Sequence, residues 1–135
     1  MNIELLNKVK AHILEEPRRL EMVDWIVDAE EIPVEDNRPP CGTAGCIAGW
    51  AAMLDGGFNR SIHFPRRYAT DALGIDPYGQ AERLFYLSQW PAQFKFDKDR
   101  PDVSFYKLDK ETQARLTAAR IDYFIATNGT DVEVK

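Results

Sequence analysis

The stretch with the most distinctive chemistry runs from Cys41 to Ala52 and contains two cysteines, three glycines and a tryptophan. Thr43 is a suitable helix N-cap, and a helix that begins there places Cys46 at its third position. A thiol in a first helical turn lies beside unpaired backbone N–H groups and the positive end of the helix dipole, which favours the thiolate. The spacing therefore predicts a candidate nucleophile at Cys46.

A cysteine nucleophile requires a base, and His63 is the residue able to serve as one. One hypothesis is thus a hydrolase or acyl-transfer enzyme with Cys46 as nucleophile and His63 as base, oriented by Asp71 or Asp76. A second hypothesis uses Cys41, Cys46 and His63 as metal ligands, although their spacing is wider than that of a zinc knuckle. A disulfide between the two cysteines is a further alternative, which no export signal supports.

The favoured interpretation of the same stretch is structural. Gly45, Ala48, Gly49 and Ala52 recur at helical spacing and give one side of the helix very small side chains. Glycine inside a helix costs about 1 kcal/mol relative to alanine, so a close approach by a neighbouring backbone is a reason to retain it. In this interpretation Cys46 is a small buried hydrophobe at a tight helix crossing, and there is no catalytic residue, metal or cofactor.

The net charge of −5 is confined to the first 40 residues, which hold 10 acidic and 5 basic side chains against 12 of each in the remainder. No lysine or arginine interrupts residues 21–36. A pI near 5.0 argues against nucleic acid as the main partner. The stretch is either a solvated surface or a docking surface for a basic protein partner. The predicted partner-binding residues are Asp28, Glu30, Glu31 and Glu35.

The elements that position these residues are predicted to be helices. Apolar residues recur at helical spacing between clear capping and stop signals, such as Asn2 before the first helix and Asp109 before the last. Irregular connections are expected at residues 30–41 and 58–64, where proline, glycine and asparagine interrupt the pattern. The predicted helices cover residues 3–15, 17–27, 43–54, 65–73, 77–90 and 110–127.

The expected fold is all-α, a single compact domain of five or six helices with two long irregular connections. The length of 135 residues and a hydrophobic fraction of 44% suit one domain with a real core, assigned to residues 1–129, with a frayed tail at 130–135. No membrane-length apolar run and no signal peptide is visible, which predicts a cytoplasmic protein without a membrane partner. The oligomeric state is left open.

Several strings resemble a family of short bacterial and bacteriophage proteins over residues 17–127. The most specific is Cys-Gly-Thr-x-x-Cys-Ile-Ala-Gly-Trp-Ala at residues 41–51. Leu20 and Gly45 depart from the pattern, in which an aromatic residue and an alanine are usual. The resemblance implies a small helical domain of bacterial or mobile-element origin, and it implies no activity, substrate or cofactor. The other strings are Arg19-Leu20-Glu21-Met22 with Trp25, Leu73-Gly74-Ile75, Leu84-Phe85, Trp90-Pro91, Ile121 and Phe124.

The leading functional hypothesis is therefore a non-enzymatic helical module for binding or regulation that acts through a protein partner. It depends on the acidic stretch and on the lack of a phosphate loop, a convincing ligand set or a basic stripe. The cysteine hydrolase is the alternative.

Overall fold

A computed structural model describes residues 1–20, 22, 26–27, 44–55, 65–94 and 105–132. Five α-helices account for most of these residues, which confirms the predicted all-α class. Short 3-10 turns lie at Pro17–Arg19, Leu87–Gln89 and Ala92–Phe94. The α-helices are α1 (Ile3–Glu15), α2 (Ile47–Leu54), α3 (Pro65–Leu73), α4 (Gln80–Phe85) and α5 (Lys110–Ala126).

Helix α1 begins where its capping residue predicts. The Asn2 side-chain oxygen accepts the Leu5 backbone N–H at 3.0 Å, which satisfies one of the donors that a helix start leaves unpaired. The Asn2 backbone N–H donates to the Leu73 carbonyl at 2.6 Å and so joins the start of α1 to the end of α3. The buried face of α1 consists of Leu5, Leu6, Val9 and Ile13.

Helix α2 is the centre of the core. Every residue from Ile47 to Met53 is buried, and the helix packs against both α1 and α3. A helix that is apolar around its whole circumference must be surrounded by other elements. The helical part of the Cys41–Ala52 stretch therefore lies inside the domain.

The helix predicted from Pro17 through Val27 is wrong. The chain forms a 3-10 turn at Pro17–Arg19, and Ile26–Val27 (β1) pairs antiparallel with Ala44–Gly45 (β2). A continuing helix would use the carbonyls of Arg19 and Leu20 for its own hydrogen bonds. Instead the Trp50 indole N–H donates to the Arg19 carbonyl at 2.7 Å, and the Lys110 ammonium donates to the Leu20 carbonyl at 2.8 Å. Tertiary contacts thus override the helical spacing.

Asp76 forms the turn that precedes α4. The helix itself is shorter than predicted. The Asp76 carboxylate accepts the backbone N–H groups of Tyr78 at 3.2 Å and Gly79 at 3.1 Å, while the Asp76 N–H donates to the Gln80 side chain at 2.8 Å. These bonds hold a turn over residues 77–79, and the regular helix begins only at Gln80. It ends at Phe85, before the predicted stop at Trp90-Pro91.

Helix α5 is bounded as the sequence predicts. The Asp109 carboxylate accepts the Thr112 N–H at 2.6 Å and caps the start. Beyond the end at Ala126, Asn128 and Gly129 adopt φ values of 53° and 76°, the left-handed conformation that ends many helices. The positive φ at Gly129 favours glycine there, and a side chain would also displace the amide of Gln80.

Candidate functional site

Cys46 is the N-cap of α2 rather than its third residue. The helix begins at Ile47 because Ala44–Gly45 belong to the strand pair, so it cannot start at Thr43. The Cys46 sulfur accepts the Gly49 backbone N–H at 3.4 Å, and the residue is 4% exposed. The thiol therefore takes the place that a serine or aspartate oxygen usually takes at a helix start.

This position weakens the case for a cysteine nucleophile. An attacking sulfur must reach its substrate, whereas burial keeps Cys46 away from solvent. Asp76 serves the turn before α4, and His63 and Cys41 lie outside the described residues. Three of the five candidate catalytic or metal-binding residues are thus placed: Cys46 caps α2, Asp71 is exposed on α3, and Asp76 lies in the turn before α4.

The metal hypothesis has no support from the described residues. Within them, His, Cys, Asp and Glu side chains do not form a group of three or more that could bind a metal ion. The candidate ligand set required Cys41 and His63, both of which lie outside that part of the chain.

The small side chains of α2 face the protein's own core. Ala48 and Ala52 are fully buried and Gly49 is also buried, as expected for a side that neighbouring elements approach closely. Gly45 lies in β2, before the helix begins, so the prediction that it shares this side of α2 is wrong. The part of the motif from Cys46 to Ala52 therefore contributes to the packing of the core.

The predicted partner-binding residues Asp28, Glu30, Glu31 and Glu35 lie outside the described residues, but both ends of their segment are placed. Residues 28–43 connect β1 to β2, in which Ile26 lies opposite Gly45 and Val27 opposite Ala44. The strand pair therefore brings the two ends of the segment side by side. By sequence the segment carries five acidic residues and one basic residue.

One polar cluster beside the core was not predicted, and we name it the His12 cluster, consisting of His12, Arg19 and Trp50. The Arg19 guanidinium donates to the His12 carbonyl at 3.1 Å and lies 3.3 Å from His12 Nδ1. The imidazole lies against the Trp50 indole with 4.2 Å between ring centroids. With the Trp50 bond to the Arg19 carbonyl, these contacts join α1, the 3-10 turn and α2.

The bond between Arg19 and the imidazole determines the tautomer of His12. A guanidinium can only donate, so Nδ1 must accept and the proton of the neutral ring lies on Nε2. Nε2 is buried without a hydrogen-bond partner. Burial lowers the pKa of His12 below its ordinary value, and the Arg19 charge lowers it further, whereas Glu15 opposes the shift.

A second polar cluster holds the end of the chain, and we name it the Arg120 cluster, consisting of Arg83, Arg120 and Asp131. Both terminal nitrogens of Arg120 donate to the Asp131 carboxylate at 2.7 Å, a bidentate ion pair. The Arg120 side chain is 0% exposed and that of Asp131 is 8% exposed. Arg83 adds a contact of 3.5 Å to the same carboxylate, and its guanidinium donates to the Gly129 carbonyl at 2.7 Å.

The Arg120 cluster changes the expected boundary of the domain. Residues 130–135 were expected to form a frayed tail, yet Asp131 is bound to Arg120 and its backbone N–H donates to the Thr127 hydroxyl at 3.0 Å. The turn at Asn128 and Gly129 reverses the chain, so Asp131 returns to the helix that precedes it. Residues 133–135 lie outside the described part.

The fold and the two clusters define a small all-α domain with a buried motif helix. Compared with protein-family models, curated proteins and solved structures, the chain gives no match. Among the helices in the described ranges, none combines the length and the apolar character needed to cross a membrane.

Proposed function

We propose that this chain is a small, non-enzymatic helical module for binding or regulation in a bacterial or bacteriophage setting. It acts in the cytoplasm through a basic protein partner, which the segment between β1 and β2 recognises. The residues that carry recognition are Asp28, Glu30, Glu31 and Glu35.

The observation that carries this proposal is the pairing of β1 with β2 at the base of the acidic segment. The antiparallel register of Ile26 with Gly45 joins both ends of the segment at one place next to the core. By sequence, most of the net charge of −5 falls within this segment, which holds five acidic residues and one basic residue. Such a local field increases the rate of encounter with a basic partner and disfavours acidic ones.

The burial of Cys46 supports a binding role over the cysteine hydrolase. Its sulfur is engaged with the Gly49 N–H and forms part of the core, where it stabilises the start of α2. A side chain in that position contributes to folding whether or not any substrate is present.

The test is charge reversal within the segment. The chain is used to capture partners from a bacterial lysate at low and high salt, and any captured protein is then purified and titrated directly. We expect the reversed variant to lose salt-sensitive capture because the attractive field is inverted. Its thermal midpoint should remain almost unchanged. The variant carries Asp28→Lys, Glu30→Lys, Glu31→Lys and Glu35→Lys.

A matched control variant distinguishes the effect of where the charges lie from the effect of the net charge. It reverses four exposed acidic residues on the helices and so changes the net charge equally. The control should retain capture. Equal loss in both variants would attribute capture to net charge alone, and unaltered capture in the segment variant would remove the acidic segment from the function. The control carries Glu4→Lys, Asp71→Lys, Glu82→Lys and Glu111→Lys.

A further inference from the structure

The His12 cluster lies where the chain leaves α1. Arg19 ends the 3-10 turn that follows this helix, and its side chain returns to the His12 carbonyl and ring. The turn itself is held by two local bonds, from the Arg19 N–H to the Glu16 carbonyl at 2.9 Å and from the Leu20 N–H to the Pro17 carbonyl at 3.1 Å. The side-chain contacts of Arg19 therefore attach this turn to α1, while Trp50 and Lys110 bind the carbonyls of Arg19 and Leu20 from α2 and α5.

The protonation state of His12 decides whether the bond to its ring can exist. A neutral imidazole offers the Nδ1 lone pair to the Arg19 guanidinium. Protonation converts Nδ1 into a donor and places two positive groups 3.3 Å apart, so the bond is replaced by repulsion. The ring sits against Trp50, and its Nε2 is buried without a hydrogen-bond partner.

The charged groups around the ring leave this repulsion largely uncompensated. Arg19 acts from the turn and Glu15 acts from α1, where its carboxylate lies 3.8 Å from Arg19 and is mostly exposed. Helix α2 presents the uncharged Trp50 indole. From α5, the acidic group that contacts α1 is Asp122, whose carboxylate is paired with Lys10 at 2.7 Å.

Two further charges lie close by on the turn. Arg18 and Glu16 pair with each other at 3.1 Å on the outside of the turn. Within the described residues, the nearest cation to the imidazole is therefore the one to which it is bonded.

We propose that the bond between His12 and Arg19 is a pH-sensitive latch, which holds the Pro17–Arg19 turn against α1 while His12 is neutral and releases it when His12 is protonated. This inference does not depend on the proposed partner. The bonds from Trp50 to the Arg19 carbonyl and from Arg19 to the His12 carbonyl involve no titrating atom, so release loosens the turn without detaching it and leaves the helices in place.

The direction of the response follows from the shift of His12. Its pKa in the folded chain lies below that in the unfolded chain, because burial and Arg19 both disfavour the charged ring. The contribution of the latch is thus complete above the unfolded pKa and is lost as the pH falls through the lower, folded pKa, where His12 of the folded chain takes up its proton.

The test measures amide hydrogen exchange at Arg19 and Leu20, expressed as protection factors so that the intrinsic pH dependence of exchange is removed. When the parent chain is taken from a pH above the titration of its own His12 imidazole to a pH below it, protection should fall roughly fivefold, as expected for one lost hydrogen bond. The amides of α5 should keep their protection. In His12→Gln, which retains an acceptor but does not titrate, protection at both residues should be independent of pH.

A nitrogen NMR titration of the imidazoles completes the test and does not require the variant to fold. At neutral pH the shifts of His12 should report the tautomer with its proton on Nε2, and His63→Gln identifies which signals belong to His12. A proton on Nδ1 at neutral pH would overturn the proposal. So would unchanged protection of the turn after His12 has titrated, or the same loss of protection in His12→Gln.

Discussion

In the His12 cluster and in the Arg120 cluster alike, an arginine side chain binds an irregular segment to the helices. The two clusters differ in the group that accepts the arginine's hydrogen bonds and in how deeply the arginine is buried. In the Arg120 cluster a fully buried guanidinium meets a nearly buried carboxylate in a bidentate pair. In the His12 cluster the guanidinium of Arg19 is 29% exposed, and its acceptors are a neutral ring and a carbonyl. The first arrangement depends on charge compensation and the second on an uncharged lone pair.

This difference determines what is lost when each contact is removed. Burial lowers the pKa of Arg120, whereas the bond to Asp131 opposes that shift by stabilising the charged guanidinium. Without Asp131 the buried charge would have no anion beside it, which is far more costly than the loss of one neutral hydrogen bond. Arg19 can instead turn to water, because part of its side chain is already exposed.

The largest effect is expected from Asp131→Asn. This change removes the charge and keeps a residue that tolerates the φ of 58° at this position. Because Arg120 stays buried without its anion, we expect a loss of about 3 kcal/mol or more in the free energy of unfolding, measured by denaturant titration.

Glu111→Gln is the matched control for that change. It removes the carboxylate that pairs with Arg115 on the same helix, where both side chains are mostly exposed. Exposed pairs contribute little to stability, so this variant should unfold almost as the parent chain does. Equal losses in the two variants would contradict the importance of burial and remove the contrast between the two clusters.

A smaller effect is expected from Ala48→Leu in α2. Ala48 is fully buried, and the larger side chain would overpack the core at a cost of ~1–3 kcal/mol in unfolding free energy. Since α2 also supplies Trp50 to the His12 cluster, the change should reduce amide protection at Arg19 more than at the end of α5. Ala11→Leu, at an exposed position on α1, serves as the control. If Ala48→Leu unfolds with the same free energy as the parent chain, the side of α2 with small residues can accept a larger side chain.

Local signals were sufficient to predict the helix ends that depend on one residue and its immediate neighbours. Asn2 and Asp109 cap their helices as expected, and Gly74 ends α3 with a φ of 64°. In each case the determining contact spans only a few residues along the chain. The all-α class follows from the same signals.

Contacts between distant parts of the chain could not be predicted from spacing. The helix expected after Pro17 is replaced because Trp50 and Lys110, both far along the sequence, bind the carbonyls of Arg19 and Leu20. The start of α2 moves to Ile47 because β1 pairs with Ala44–Gly45, which leaves Cys46 as a buried cap.

The same limit applies to the two polar clusters. His12 and Arg19 are seven residues apart, but their bond depends on a turn that helical periodicity does not predict. Asp131 reaches Arg120 only because the chain reverses at Asn128 and Gly129. The sequence predicted the end of the last helix at residue 127. It did not predict where the residues after the turn would lie.

The smallest effect, and the one that separates the two clusters most sharply, is expected from Arg19→Lys. Lysine keeps the positive charge near Glu15 but lacks the planar group that reaches both acceptors on His12. At neutral pH the loss in unfolding free energy should be about 0.5–1.5 kcal/mol, the usual worth of such a bond. Below the lowered pKa of His12 the difference from the parent chain should shrink, because protonated His12 has already released the guanidinium. If the loss stays constant over this pH range, Arg19 acts through its bond to the His12 carbonyl or through packing. In that case neither cluster depends on the protonation state of His12.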